Sequence, residues 1–98
     1  GFSVKQGAPV IVLGAGEAAI ALVKDLSRST QWQVVGMLDD DRAMLGREIL
    51  GVKVMGDIPS LTKAYLKHNV RHVIIAMPSV HHSKRRQAID LADSLGLE

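Results

Sequence analysis

PVIVLGAGEAA, residues 9–19, is the stretch that decides the fold. Its first five residues are apolar without any alternation, which is typical of a strand buried on both faces in the centre of a parallel sheet. Gly14 and Gly16 interrupt that run, and helix-forming residues dominate from Glu17 onward. The stretch therefore predicts a β-strand, a tight glycine turn and an α-helix in direct succession.

The rest of the chain repeats this alternation of strands and helices. Further apolar runs predict strands over residues 34–38, 51–55 and 70–77. Helical patterns follow the last two of these strands, and Asn69 and Gly96 are the residues expected to end them. Strands separated by right-handed helical crossovers specify an α/β fold, a doubly wound parallel sheet with the strand order 3-2-1-4.

Length and composition limit the class of protein. The 98 residues, of which 47% are apolar and 22% charged, fit one small globular domain. The absence of cysteine excludes a disulfide scaffold and a cysteine-based zinc module. A net charge of +2 and an aromatic content of 3% do not favour binding to nucleic acid, so no nucleic-acid partner is expected.

The glycine turn carries the strongest functional signal. Residues 14–19 fit the pattern G-x-G-x-x-(G/A) directly after a buried strand and at the start of a helix. Gly14 permits the turn, and Gly16 lets backbone N–H groups approach a pyrophosphate at the positive end of the helix dipole. The motif makes five residues candidate nucleotide ligands: Gly14, Ala15, Gly16, Glu17 and Ala18.

A second interpretation of the same turn stays open. Small residues there could serve only the close packing of strand and helix, with no ligand bound. Glu17 argues mildly for that alternative, because a carboxylate beside a pyrophosphate is repulsive unless it points away.

An acidic run follows the second strand. Asp39 stands 25 positions after Gly14, near the place where the motif expects an acid that accepts hydrogen bonds from ribose hydroxyls. Because an acid repels a 2′-phosphate, Asp39 favours NAD over NADP, although the neighbouring Arg42 leaves NADP open. Asp40 and Asp41 are interpreted from their position as turn residues, and a simple turn or cap role is the alternative for Asp39.

Two more segments are expected at the same edge of the sheet, since ligands of open α/β sheets bind outside the carboxyl ends of the strands. Asp57 and Ile58 would flank a base, unless Asp57 only caps the next helix and Ile58 only fills the core. Met77, Pro78 and Ser79 would line the crevice, unless they only start the last helix.

The remaining polar residues give weaker signals. No set of nucleophile, base and acid is evident, so no catalytic residue is assigned, and His68 and His72 straddle a helix end and a strand, which is poor geometry for a metal site. A basic cluster opens the last helix and could contact ligand phosphates, an acidic partner or an anionic membrane, or be a solvated helix face. Its members are His81, His82, Lys84, Arg85 and Arg86.

Four blocks of the sequence resemble one protein family. They are VIVLGAGEAAIALVKDL, WQVVGMLDDD, LGREILGVKVMGD and VIIAMPS. Each resembles the Rossmann-like domain that precedes the catalytic domain in membrane-associated nucleoside-diphosphate-sugar epimerase/dehydratases of bacterial polysaccharide biosynthesis. The resemblance covers residues 9–98, so these residues are expected to form one nucleotide-binding domain excised from a longer protein. Residues 1–8 are interpreted as a linker or an expression remnant.

The resemblance also implies roles that the residues alone do not. It implies a bound NAD or NADP, with Gly14, Ala15, Gly16, Glu17, Asp39 and Asp40 as nucleotide-site positions. It implies a partner, the catalytic domain of the same parent chain, and a cytoplasmic location at the inner face of the membrane. It leaves open whether this chain is itself an enzyme.

Related domains look like CoA-binding folds and like nucleotide-sugar-binding domains. The alternative is therefore a non-catalytic regulatory or assembly module that binds CoA or a UDP-sugar. A homo-oligomer is compatible with either role.

Overall fold

The computed structural model describes residues 7–78 and 81–98, so the predicted site residue Ser79 and most of the predicted linker lie outside the described residues. Two single turns of 3-10 helix, Arg42–Met44 and Ile58–Ser60, complement the regular elements. In chain order, those elements are β1 (Ala8–Leu13), α1 (Glu17–Leu26), β2 (Trp32–Leu38), β3 (Glu48–Ile49), β4 (Val52–Gly56), α2 (Leu61–Lys67), β5 (His72–Ile75) and α3 (His82–Ser94).

The five strands form one sheet in the order β3-β4-β2-β1-β5. Strands β4, β2, β1 and β5 are parallel, and their order confirms the predicted 3-2-1-4 arrangement. The strand β3 pairs antiparallel with β4 and was not predicted. The α/β fold is therefore confirmed, with one short hairpin added at the edge of the sheet.

The added hairpin turns at two residues in the left-handed conformation, Leu50 with φ of 51° and Gly51 with φ of 82°. Two consecutive positive φ angles are characteristic of the tight hairpin turn whose twist matches that of the strands. Glycine suits such a turn but leucine does not, and β3 has only two residues, so the sequence carried no recognisable hairpin signal.

The core explains why the central strands lack alternation. Ile11 and Leu13 of β1 belong to the apolar cluster under α2 and α3, whereas Val12 between them belongs to the cluster under α1. All three side chains are fully buried. Helices on both faces of the sheet thus require apolar side chains at successive positions of the strand.

Two predicted helix ends are confirmed, and the residues after the last helix form backbone hydrogen bonds that were not predicted. Asn69 and Gly96 have φ angles of 54° and 72°, as expected of residues that follow helix ends. Beyond α3, the N–H of Glu98 donates to the Arg71 carbonyl at 3.0 Å, and the Glu98 carbonyl accepts from Val73 at 2.8 Å, the pattern of a parallel pair beside β5. Within the described ranges, no helix has the length and apolar character that crossing a membrane requires.

Candidate functional site

A cleft of about 750 Å³ opens at the carboxyl ends of the parallel strands. Its size falls in the range of about 300–1,000 Å³ that is usual for pockets that bind small molecules. Most of the predicted site residues line it, namely Gly14, Ala15, Gly16, Glu17, Ala18, Asp39, Asp40, Ile58, Met77 and Pro78. The structure therefore brings together the residues that follow β1, β2, β4 and β5, as expected for a switch point in strand order.

Gly14 is required by the fold itself. Its φ angle is +120°, and a Cβ atom built on it would lie 2.5 Å from the carbonyl oxygen of Ala76. Its N–H donates to the Leu38 carbonyl at 2.7 Å, which holds the turn between the two neighbouring strands. No other residue type fits this position without a shift of the backbone.

Gly16 is not required by the fold. Its φ is −81°, a conformation that any residue adopts, and no atom of the described residues lies within 4 Å of a Cβ built on it. It is the N-cap of α1, where no described side chain accepts a hydrogen bond from the N–H groups of the first turn. An exposed glycine beside uncapped N–H groups leaves a cradle that suits the phosphate oxygens of a ligand.

Asp39, directly after β2, is hydrogen-bonded to the backbone of the glycine turn. Its Oδ2 accepts a hydrogen bond from the Ala15 N–H at 2.8 Å, and its Oδ1 accepts from the Asp41 N–H at 2.7 Å. The Ala15 amide is therefore engaged within the protein, and the amides open to a ligand begin at Gly16. Since each carboxylate oxygen has two lone pairs, Asp39 keeps acceptor capacity for ribose hydroxyls.

Asp40 links three parts of the cleft. Its Oδ1 accepts from the Ile58 N–H at 2.9 Å, and its Oδ2 lies 3.3 Å from Nζ of Lys84 on α3. Both Lys84 and His81 line the cleft. In the sequence, both residues belong to the basic cluster that opens the last helix, for which contact with ligand phosphates is one of four alternatives. Their position directly after the β5 segment is the signal that could have placed them in the cleft.

Asp57 caps the 3-10 turn Ile58–Ser60, which is one of the two roles predicted for it. Its Oδ1 accepts from both the N–H and the hydroxyl of Ser60, and it is not among the residues that line the cleft. The hydrogen bond from the Ser60 hydroxyl lowers the pKa of Asp57. Its charged form thus favours the folded state above the ordinary carboxyl pKa of about 3.9, and this contribution is lost as the pH falls below it. Ile58 is buried in the core and also contacts the cleft.

A smaller cavity of about 310 Å³ lies at the opposite end of the sheet. It is bounded by the end of α1, the start of β2 and the tip of the hairpin, with Leu26, Trp32 and Leu50 among its lining residues. Among the described residues, none that lines this cavity is charged and none is a predicted site residue.

Comparison with known proteins places the chain among nucleotide-binding domains. The sequence profile of a family described as "CoA binding domain" matches residues 5–91. The redox-sensing transcriptional repressor Rex of Thermotoga petrophila is 26% identical over 97 residues, 98% of this chain and 47% of that protein. The probable polysaccharide biosynthesis protein EpsC of Bacillus subtilis is 31% identical over 72 residues, 71% of this chain and 12% of that protein. The chain thus spans less than half the length of these curated relatives.

Solved structures share the fold. The UDP-D-quinovosamine 4-dehydrogenase of Vibrio fischeri superposes with a TM-score of 0.86 at 24% identity, over 94% of this chain and 75% of that chain. RSP, a Rex-family repressor crystallised with β-NADH, superposes with a TM-score of 0.71 at 19% identity, over 89% of this chain and 42% of that chain. At these identities the likeness shows a Rossmann-like architecture.

Proposed function

Because the chain belongs to the CoA-binding domain family, whose members are Rossmann-like nucleotide-binding domains, we propose that it binds NAD in the cleft at the glycine turn. It would do so as the nucleotide-binding domain of a nucleoside-diphosphate-sugar epimerase or dehydratase of bacterial polysaccharide biosynthesis. The parent protein would hold it in the cytoplasm at the inner face of the membrane.

This proposal depends most on the surroundings of Gly16 at the N-terminus of α1. Among the described residues, no atom lies within 4 Å of a Cβ built on Gly16, and no side chain caps the helix there. The described fold therefore does not require a glycine at this position, whereas a phosphate ligand would. The pyrophosphate would lie against the N–H groups of Gly16, Glu17 and Ala18. Asp39 would accept from the ribose hydroxyls.

The other lining residues fit the rest of a dinucleotide. Ile58 would form the apolar wall beside a base, and Met77 and Pro78, with the predicted Ser79, would line the far side of the crevice. Bound NAD supplies a hydride acceptor. The residues of this chain only bind and orient it, so the reaction itself would take place on a catalytic domain of the same parent chain.

The names of relatives support the sugar-nucleotide assignment. EpsC is named for polysaccharide biosynthesis, and the Vibrio fischeri protein is a UDP-sugar dehydrogenase. The Rex repressors are named for transcription, so the expectation that this chain has no nucleic-acid partner stays a prediction.

A second candidate function is a non-catalytic regulatory or assembly module that binds CoA or a UDP-sugar. The family match itself favours this candidate.

Thermal unfolding in the presence of nucleotides separates the two candidates. NAD at 100 times its dissociation constant should stabilise the domain by about 2.7 kcal/mol, which for a domain of this size raises Tm by about 10–20 °C. Asp39→Ala should abolish the response. A response to CoA alone would reject NAD, and a flat response to NAD, NADP, CoA and UDP-N-acetylglucosamine would favour a module that only mediates protein contacts.

The controls for this experiment address the second role of Asp39. Asp39→Ala also removes the hydrogen bond to the Ala15 amide, so its Tm without ligand must be measured separately. Asp25→Ala, on an exposed part of α1 outside the cleft, is the matched control and should keep the full response to NAD.

A further inference from the structure

We propose that the first two turns of α3, residues 82–87, unfold and refold locally in the free domain, and that a nucleotide in the cleft binds to their helical form. Helix formation in these two turns would then be a condition of tight binding. The outer face of α3 would in turn become ordered when the cleft is occupied. The coupling to a nucleotide rests on the proposed function, whereas the local unfolding does not.

The first two turns of α3 contribute no side chain to the core. Every residue from 82 to 87 is exposed, whereas Ala88 and Ala92 in the second half of the helix are buried. Leu91, also in the second half, packs against the core cluster under this face of the sheet. Because helices in proteins are stabilised mainly by packing of their apolar face, the core fixes the second half of α3 but not its first two turns.

The charges of these two turns also oppose helix formation. No described side chain caps α3, and its first turn contains no acid. Lys84, Arg85 and Arg86 follow one another at the positive end of the helix dipole, where cations are unfavourable. Arg86 has a counter-ion within α3, Asp90 at 3.7 Å, but both side chains are exposed and such pairs contribute little. The helical form of these turns therefore has little stability of its own.

Lys84 links these turns to the rest of the domain. Its Nζ lies 3.3 Å from Oδ2 of Asp40, while Oδ1 of Asp40 accepts a hydrogen bond from the Ile58 N–H at 2.9 Å. Among the described residues, this is the single side-chain hydrogen bond or ion pair between residues 82–87 and another element. The Lys84 side chain is 60% exposed, so solvent screens the pair. One weak ion pair thus controls the balance between the helical and the unfolded form.

An anion in the cleft shifts this balance toward the helix. His81 and Lys84 line the cleft, so the positive end of α3 lies beside any ligand bound there. A diphosphate offsets the repulsion between the cations and the helix dipole. A ligand that binds the helical form more tightly increases the population of that form, and by reciprocity any change that favours the helix raises the affinity for the ligand.

Amide hydrogen exchange of the ligand-free ¹⁵N-labelled domain tests the local unfolding. The informative amides are those of Arg85, Arg86 and Gln87, because each donates to the carbonyl four residues earlier in the helix, as Arg85 does to His81 at 2.9 Å. Their protection factors should be at least about tenfold lower than those of Leu91 and Ala92 in the second half of α3. Equal protection in the two halves would overturn the proposal.

Asp40→Asn tests the ion pair in the same measurement. It removes the charge that attracts Lys84 but keeps a side-chain oxygen that can accept from the Ile58 N–H. Protection of the three amides should fall about threefold, with no change at Leu91. Asp25→Asn, on an exposed part of α1, is the matched control and should change neither half of α3. Unchanged protection in Asp40→Asn would show that the pair does not hold these turns.

NAD tests the coupling to the cleft. At saturation it should raise the protection of Arg85, Arg86 and Gln87 at least about fivefold, and more than that of Leu91 and Ala92. A uniform rise along α3 would reflect stabilisation of the whole domain and would contradict the coupling.

A proline variant tests whether these turns must be helical for tight binding. Gln87 is exposed and lies outside the cleft lining. Gln87→Pro removes the hydrogen bond to Ser83 and introduces a clash with that carbonyl, so NAD affinity should fall at least about tenfold while circular dichroism shows a folded domain. His82→Pro places the same residue at the first helical position, where proline is tolerated, and should bind NAD as the wild type does.

The outcomes separate the coupling from the proposal on which it rests. A folded Gln87→Pro protein that binds NAD as tightly as the wild type overturns the coupling and leaves nucleotide binding in place. If NAD does not bind to the wild type, the proposed function fails and the coupling fails with it. The ligand-free exchange rates still decide in that case whether residues 82–87 unfold locally.

Discussion

Gly14→Ala is expected to destabilise the domain by about 3 kcal/mol or more, because it combines backbone strain with a clash against the main chain. The backbone there has φ of +120°, and the new Cβ would lie 2.5 Å from the Ala76 carbonyl oxygen. Moving β1 away from the segment after β5 would disturb the parallel pairing between β1 and β5. Thermal unfolding followed by circular dichroism should show Tm lowered by about 12–24 °C.

Gly16→Ala is the matched control for this prediction. It adds the same methyl group two residues away, at φ of −81° and with no atom of the described part of the chain within 4 Å of the new Cβ. Alanine is a poorer N-cap than glycine, but it also lowers the entropy of the unfolded chain, and the two effects of up to about 1 kcal/mol oppose each other. Its Tm should therefore stay within a few degrees of the wild type. Equal losses in the two variants would show that the turn is not built as described.

Gly16→Val is expected to weaken NAD binding at least about 100-fold, or 2.7 kcal/mol, while the domain stays folded. The valine side chain would project from the N-cap of α1 into the space from which a phosphate reaches the N–H groups of Glu17 and Ala18. Calorimetric titration measures the affinity, and circular dichroism measures the fold. The smaller Gly16→Ala should give an intermediate loss, since its methyl group blocks less of the same space.

Measuring both Tm and NAD affinity for Gly16→Ala and Gly16→Val separates a blocked site from unfolding of the domain. A loss of binding that accompanies a large fall in Tm would report unfolding, not a blocked site. Undiminished binding by a folded Gly16→Val protein would mean that the nucleotide does not approach the N-terminus of α1, and the proposed site would then be wrong.

The fold was largely predictable because burial on both faces leaves a clear pattern. Residues 10–13 are apolar at every position, and the structure packs alternate side chains of this run against helices on opposite faces. Helix ends were predictable where Asn69 and Gly96 adopt left-handed conformations. The β3–β4 hairpin was not predictable, since β3 is only two residues long and Leu50 occupies a turn position that normally favours glycine or asparagine.

The grouping of residues in one cleft was predictable where a local motif specifies it, and their role as nucleotide ligands stays a prediction. The turn from Gly14 to Ala18 and the acid Asp39 were found by their spacing alone, and the structure joins them through the hydrogen bond to the Ala15 amide. The contact between Asp40 and Lys84 spans 44 positions and depends on how α3 packs beside the end of β2, which no local pattern encodes. The sequence could not decide between the two predicted roles of Asp57, because a helix cap and a ligand contact can use the same residue type.

The most direct test of nucleotide binding at the glycine turn is a titration of the ¹⁵N-labelled domain with NAD, followed by amide chemical shifts. The account predicts that the largest changes occur at Gly16, Glu17, Ala18 and Asp39, with little change around Trp32 and Leu50 in the cavity at the opposite end of the sheet. Largest changes around Trp32 and Leu50, or no change at millimolar NAD, would contradict it.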